Sequence, residues 1–139
     1  MSGSTETPVK PVHADGAIFY MHPHPRSPFS EAVQVGPVLY LSAMIGLDNN
    51  GQLVEGFDGQ VRQIMHNSQA ILERYSLSLD NVFKATVMLT DMDKWGAFNR
   101  IYKPFFQPTR LPVRTAFGVS GLAYGAEVEI EFQAWILGA

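Results

Sequence analysis

The strongest pattern in the chain is an alternation of apolar and polar residues close to its C-terminus. In the segment Glu127–Leu137 every second residue from Val128 onward is apolar, whereas Glu129 and Glu131 lie between these apolar positions. Successive side chains of a β-strand point to opposite faces of a sheet, so this period of two predicts a strand. One face of this strand is expected to pack into a core, and the other presents carboxylates.

Two segments have the three- and four-residue spacing of amphipathic helices. The first runs from about Asp58 to Tyr75, and the second begins near Asp93, whose side chain is suited to an N-cap. Pro104 lacks a backbone N–H and clashes with the preceding turn, so the second helix is expected to end or kink there. The apolar faces are formed by Val61, Ile64, Ser68, Ile71 and Tyr75 in the first helix and by Trp95, Phe98, Ile101, Tyr102 and Phe105 in the second.

Four more segments are predicted to be strands. Glu31–Val35 and Val38–Ser42 form a tight pair, Val82–Thr90 is rich in β-branched residues, and Val113–Ser120 follows a loop. The resulting order β-β-α-β-α-β-β predicts an α/β (α+β) domain in which two helices pack on one face of a mixed sheet.

The N-terminal segment has a different composition. Its first 16 residues are polar and contain Pro8 and Pro11, so they are expected to form a flexible or loosely docked extension. Residues 21–28 contain three prolines and must be extended or turning. With 139 residues, the chain has the length of one domain.

Composition excludes several classes of function. The net charge is −3 and no two Lys or Arg residues are adjacent, so no nucleic-acid partner is expected. The chain has no cysteine, which excludes disulfides, thiolate zinc sites and a cysteine nucleophile. No apolar run approaches the ~18 residues of a membrane span, and residues 1–16 lack a signal-peptide core. We therefore expect a cytoplasmic protein with no membrane partner.

Arg114 is the first candidate for chemistry. It lies at the start of a predicted strand, directly after Leu111-Pro112-Val113. Its planar guanidinium has five N–H donors and can hold a carboxylate through two hydrogen bonds. An ordinary ion pair on the surface or in an interface is the alternative, and the spacing of residues leaves both open.

Glu129 is the second candidate. It is the middle carboxylate of three on one face of the last strand, where alternate residues are only about 7 Å apart. Neighbouring like charges raise the pKa of a carboxyl group and allow it to donate a proton, whereas a nearby arginine has the opposite effect. The alternative is an edge strand whose charges prevent aggregation.

The other polar motifs lack the spacing that their chemistry requires. His22 and His24 lie in the proline-rich loop, and no second histidine lies one helical turn from His66, so no metal site is expected. Gly121–Gly125 has neither the lysine nor the spacing of a phosphate-binding loop. No G-x-S-x-G elbow surrounds any serine. We expect no cofactor.

Four stretches of the chain resemble motifs of the RidA family, also called YjgF or L-PSP proteins. Pro28–Val33 is similar to the family's P-Y-S-Q-A-V start, and Leu41–Ile45 to its S-G-Q-I segment. Phe98–Phe106 resembles the N-x-x-Y-x-x-F-F helix of the family. Pro112–Thr115 and Val128–Glu131 resemble the P-A-R-S and I-E-I-E strands. The order and spacing of these motifs together are more specific than any one of them.

The resemblance implies a homotrimer with a chorismate-mutase-like fold and pockets between subunits. It also implies hydrolytic deamination of small, carboxylate-bearing imine or enamine acids to 2-keto acids and ammonia. Arg114 matches the arginine that binds the substrate carboxylate, and Glu129 the glutamate thought to act on the water or the departing amine. Asn99 matches a helix asparagine near the pocket, and the backbone at Ala43 and Ala116 matches positions that face the substrate.

The resemblance extends from about Arg26 to Leu137, so we expect an N-terminal extension over residues 1–25 and a RidA-like domain over residues 26–139. Phe29 occupies a pocket position where active members usually have Tyr, so a hydroxyl is missing. Ala43 and Met44 replace Gly and Gln and are expected to make the pocket tighter and more apolar.

These departures leave alternative functions open. A non-catalytic member would use the same pocket to sense a small carboxylate. An endoribonuclease or translation inhibitor, an activity ascribed to some relatives, is disfavoured by the acidic charge balance. In a purely structural alternative, Arg114 and Glu129 would neutralise each other in a trimer core.

Overall fold

The computed structural model describes residues 10–136, which form one seven-stranded sheet with two α-helices. The strands are β1 Val12–Ala14, β2 Ala17–Tyr20, β3 Ala32–Val35, β4 Val38–Leu41, β5 Val82–Leu89, β6 Val113–Gly118 and β7 Val128–Trp135. The helices are α1 Phe57–Arg74 and α2 Trp95–Tyr102. Short 3-10 turns span Leu79–Asn81, Met92–Lys94, Lys103–Phe105 and Ala123–Gly125.

The sheet is mixed, as the order of predicted elements indicated. Its strand order is β1-β2-β3-β4-β7-β5-β6, and only β5 and β6 pair in parallel. Helix α2 connects these two parallel strands, and α1 connects β4 to β5. Both helices therefore belong to strand–helix–strand units, which place them on one face of the sheet.

The core lies between the helices and the apolar side of the sheet. Val128, Ile130, Phe132 and Ala134 on β7 have no exposed surface, which confirms the predicted alternation in this strand. They form one cluster with the buried apolar residues of α1, which are Phe57, Val61, Ile64, Met65 and Leu72. No helix in the described part of the chain is long and apolar enough to cross a membrane.

The structure differs from the expected extension at β1 and β2. These strands pair with each other and with β3, so residues 12–20 belong to the sheet and are not loosely docked. Asp15 and Gly16 form the turn with positive φ values of 51° and 88°, a conformation that favours a tight hairpin. The rest of the predicted extension, residues 1–9, and the predicted strand end at Leu137 lie outside the described residues.

The start of α2 also differs from expectation. Asp91, and not Asp93, accepts a hydrogen bond from a backbone N–H, and it caps the short turn Met92–Lys94. The α-helix then starts at Trp95, and Pro104 falls in the 3-10 turn that follows it. The predicted effect of this proline is confirmed.

The face of the sheet opposite the helices carries exposed apolar and aromatic side chains as well as the carboxylates of Glu129 and Glu131. Seven of its large side chains are more than one-third exposed. They are Val12, Phe19, Val35, Tyr40, Val113, Phe117 and Trp135. We call these seven residues the open face. Exposed large apolar side chains grouped on one face are typical of a protein-protein interface.

Candidate active site

Arg114 lies on β6 with its side chain on the helix side of the sheet. Its guanidinium carbon is 5.2 Å from the ring centroid of Tyr102, 5.5 Å from that of Phe98 and 5.8 Å from that of Trp95. These three aromatic residues share one side of α2 because they are three and four residues apart. A cation over aromatic faces is attracted by their quadrupoles, so the helix holds the guanidinium in place without neutralising it.

No carboxylate pairs with Arg114 in the described part of the chain. Among residues 10–136, the guanidinium of Arg114 contacts the three aromatic rings, and neither of the two ion pairs described there includes it. Arg114 and Glu129 do not pair within one chain, and the alternative in which they neutralise each other in a trimer core stays a prediction. The five N–H donors of the guanidinium therefore remain available for a ligand with two acceptor oxygens.

Two more polar atoms near this arginine lack a partner among the described residues. The amide oxygen of Asn99 and the hydroxyl of Tyr102 are buried and make no hydrogen bond. Burial raises the pKa of Tyr102 to about 12, against the opposing effect of the Arg114 charge. In the sequence, Tyr102 belongs to the apolar face of the helix and to the N-x-x-Y-x-x-F-F motif, and neither assigns it a role in the site. Its signal was the spacing of three residues from Asn99, which places both on one side of α2.

Ala116 completes this part of the site. It lies two residues after Arg114 on β6 and therefore on the same face of the sheet. We call Arg114, Asn99 and Ala116 the arginine group.

Glu129 lies on the opposite face of the sheet. Arg114 of β6 and Phe132 of β7 are both register partners of Ala85 on β5, so their side chains lie on the same face of the sheet. The side chain of Phe132 is buried under the helices. Glu129 is three residues from Phe132, so its side chain points the other way. Burial, together with the nearby charge of Glu131, raises the pKa of Glu129. The carboxylate makes no hydrogen bond or ion pair with the described residues.

A bulge in the chain after β4 places Ala43 beside β7. The pairing with β7 shifts by one residue between Tyr40 and Met44, and the Met44 N–H donates to the carbonyl of Ile130 at 2.8 Å. An extra residue in one strand reverses the faces to which later side chains point. Met44 therefore packs against the core, where its sulfur accepts a hydrogen bond from Ser68 at 3.7 Å. The expectation that Met44 lines the pocket is wrong.

Phe29 lies near Ala43. The Ser42 hydroxyl donates to the carbonyl of Ser30 at 2.6 Å, which joins the segment after Phe29 to the segment before Ala43. Phe29 is 51% exposed, and its ring contacts the ring of His22 edge-on at 5.4 Å. We call Glu129, Ala43 and Phe29 the glutamate group. A groove of about 290 Å³ beside it is lined by Ser30, Ala32, Val33, Tyr40, Leu41, Ser42 and Glu131.

The six predicted site residues thus form two groups in one chain. The arginine group lies between β6 and α2, and the glutamate group lies around the bulge and the adjoining part of β7. Strand β5 separates β6 from β7, and the side chains of Arg114 and Glu129 point to opposite faces. One chain does not bring the two groups together.

Comparison with known proteins gives the same family over most of the chain. The family model described as Endoribonuclease L-PSP matches residues 20–136. A mouse protein named 2-iminobutanoate/2-iminopropanoate deaminase is 43% identical over 106 residues, which cover 75% of this chain and 78% of that protein. A RutC family protein of Aquifex aeolicus is 43% identical over 114 residues, covering 81% of this chain and 91% of the relative. The chain belongs to the RidA family.

A solved structure supports the same conclusion for the fold. RidA from an Antarctic Psychrobacter species superposes with a TM-score of 0.76 at 35% identity, covering 80% of this chain and 90% of that one. The mixed sheet with two helices is therefore the RidA fold. The matched residues begin within β2, so β1 lies outside the region matched by the family model.

Histidines of this RidA-family chain serve local structure. The ring nitrogen Nδ1 of His22 accepts from the His24 N–H at 3.0 Å and lies 3.1 Å from the Ser27 hydroxyl. Burial lowers the pKa of His22, whereas Glu31 opposes this effect. His66 lies edge-on to Phe105 at 5.4 Å. Within residues 10–136, no three His, Cys, Asp or Glu residues are grouped so that they could hold a metal ion.

Proposed function

We propose that the protein hydrolyses small 2-imino acids and the related enamines to 2-keto acids and ammonia. The observation that carries this proposal is the unpaired guanidinium of Arg114, held by three aromatic rings next to the unpaired amide oxygen of Asn99. A carboxylate is the planar two-oxygen partner that such a guanidinium binds. The name of the mouse relative supports an imine as the reacting group.

The complete site is proposed to form between two copies of the chain. The arginine group of one copy would meet the glutamate group of the next, since each group alone lacks half of the residues. The open face supports this arrangement because its apolar side chains would be buried between copies. A ring of three copies, as the family resemblance implies, would repeat one heterologous contact and close it without leaving an unused surface.

The reaction requires a held substrate, a water molecule and a group that moves protons. Arg114 binds the carboxylate, and Asn99 with the backbone at Ala43 and Ala116 fixes the orientation of the protonated imine. The water oxygen bonds to the imine carbon while the C=N electron pair moves to nitrogen. Glu129 takes a proton from this water and returns it to the nitrogen. The C–N bond then breaks, its electron pair leaves with ammonia, and the remaining hydroxyl releases its proton to form the keto group.

Replacement of Arg114 tests the proposal. Loss of a charge-assisted hydrogen bond removes about 1.5–3 kcal/mol, so Arg114→Ala is expected to lower kcat/KM by about ten- to two-hundred-fold or more. The substrate is 2-iminobutanoate formed in situ, and its conversion is followed as keto acid above the uncatalysed rate. Arg100→Ala is the control because Arg100 is an exposed arginine of α2, the helix whose rings contact Arg114. Equal rates for wild type and Arg114→Ala would remove Arg114 from the reaction.

A carboxylate sensor is the second candidate, and Phe29 favours it. This exposed ring has no hydroxyl, so the glutamate group has one polar atom fewer than the family motif would supply. Calorimetry with 2-oxobutanoate separates the two functions. Binding that requires Arg114, without any turnover of 2-iminobutanoate, would support the sensor.

A further inference from the structure

The three aromatic rings around Arg114 differ in their exposure. Phe98 is 0% exposed and Tyr102 is 4% exposed, and their rings stack with centroids 5.1 Å apart. Trp95 is 46% exposed, although its ring also lies within 5.8 Å of the guanidinium carbon. Phe98 and Tyr102 thus form a buried floor under the guanidinium, and Trp95 is the ring with surface left for another contact.

A ligand held by Arg114 would lie next to this exposed indole. In a 2-imino acid the side chain is attached to the carbon that carries the carboxylate, so it lies within a few ångströms of the arginine. The next residue along the same strand face is Ala116, whose side chain is a single methyl group. The apolar face of Trp95 is therefore the surface on which such a side chain can be buried.

We propose that Trp95 is a specificity-determining residue that favours 2-imino acids with a large apolar side chain. This inference rests on the proposed function, because it assumes that Arg114 binds the substrate carboxylate. Burial of three or more additional carbons against the indole improves transition-state binding for the larger substrate. Each methylene of this kind changes kcat/KM by about ten-fold when it is fully enclosed, and an open wall such as Trp95 provides only part of that.

The test compares a small and a large substrate in the same variants. L-amino-acid oxidase produces the imines of alanine and leucine, and their hydrolysis is measured by competition with semicarbazide. Trp95→Ala is expected to lower kcat/KM for the leucine imine by about ten-fold and for the alanine imine by less than about two-fold. Trp95→Phe, which keeps an aromatic face, is expected to retain most of the preference. Tyr124→Ala is the control because its side chain is 80% exposed and distant in sequence from α2.

The possible outcomes distinguish a role of Trp95 in substrate preference from a role in which Trp95 only holds Arg114 in place. Equal losses for both imines would mean that Trp95 acts only by holding Arg114, and no loss for either would place it outside the site. Each result overturns the inference. If Trp95→Ala does not fold, Trp95→Leu and Trp95→Phe are judged by the same ratio of the two substrates.

A binding measurement separates this inference from the proposed function. Calorimetry gives the Kd values of pyruvate and 4-methyl-2-oxopentanoate for wild type and Trp95→Ala, without any need for turnover. A preference for the larger keto acid that disappears in the variant supports Trp95 even if no imine is hydrolysed. If turnover depends on Arg114 but the substrate preference is the same in wild type and Trp95→Ala, only the role of Trp95 is overturned.

Discussion

The Arg114 guanidinium lies on aromatic rings and not beside a carboxylate, and this contact defines the charge of the ligand that it can bind. Trp95, Phe98 and Tyr102 attract the cation and leave its N–H donors free. An anion with two coplanar oxygens satisfies these donors. In the proposed site, the unpaired amide oxygen of Asn99 would accept a hydrogen bond from the ligand.

The charge of Glu129 predicts a pH-dependent effect on stability. Burial and the nearby Glu131 raise the pKa of Glu129 above its ordinary value of 4.5, so the folded chain binds this proton more tightly than the unfolded chain does. The contribution of protonated Glu129 to stability is complete below pH 4.5 and is lost as the pH rises through the raised pKa. For the single chain, in which no Arg114 of a second copy faces this carboxylate, Glu129→Gln is therefore expected to increase the melting temperature at neutral pH but not below pH 4.5.

Thermal unfolding of both proteins over this pH range measures the effect. Glu73→Gln is the matched control, because Glu73 is an exposed carboxylate of α1. A variant that is no more stable than wild type at neutral pH would contradict the assignment of a raised pKa to Glu129.

At the scale of single residues, the sequence indicated which residues were candidates for the site better than it indicated what their side chains contact. Arg114 could be chosen as a candidate, but whether it made an ion pair depended on which face of β6 it occupied. Met44 points into the core because a bulge reverses the alternation, and such a bulge has no signature in residue types alone. Tyr102 occupies an apolar position in the pattern of α2, and only the structure shows that its buried hydroxyl has no hydrogen-bond partner among the described residues.

Among the elements, β3 and α1 are connected by a buried polar cluster. Glu31 at the start of β3 pairs with Arg74 and accepts a hydrogen bond from the Tyr75 hydroxyl at 2.7 Å. The Tyr75 ring also contacts the Tyr20 ring edge-on at 4.8 Å, and this contact extends the connection to β2. Because Glu31 is only 8% exposed, these partners replace the hydrogen bonds that water would otherwise provide to its carboxylate.

Removal of this carboxylate is expected to destabilise the fold. Glu31→Ala leaves the Tyr75 hydroxyl without its acceptor and separates β3 from the end of α1. We expect the free energy of unfolding to fall by about 2 kcal/mol, less than for a fully enclosed pair because Arg74 is partly exposed. Urea unfolding measures the change, and Glu73→Ala on the exposed side of α1 should alter stability by less than about 0.5 kcal/mol. An equal effect of the two substitutions would contradict a structural role of the cluster.

Most elements could be predicted because their hydrophobic period is clear. Helix α1 and strand β7 match the expected segments within one or two residues, since each buries one face against the other. The hairpin β1–β2 was missed because its residues are few and mostly exposed, so no period of two distinguishes them. Its main signal was Asp15-Gly16, a pair that favours tight turns between strands.

In the whole molecule, the distribution of functional groups over two faces is the main property that the sequence could not provide. The arginine group and the glutamate group are separated by the thickness of the sheet and by strand β5. The two faces of the sheet also differ in their apolar surface, because the open face exposes apolar side chains on the side where Glu129 lies. Both properties follow from strand register, and register is a property of long-range pairing.

Mixed assemblies of two inactive variants test the account most directly. Arg114→Ala and Glu129→Ala are each expected to hydrolyse 2-iminobutanoate poorly. Co-expressed and purified together, they form assemblies in which an intact Arg114 from one copy faces an intact Glu129 from another. With random assembly about a quarter of the sites are complete, so the mixture should recover about a quarter of the wild-type activity. Activity of the mixture no higher than that of the separate variants would contradict a site built from two copies.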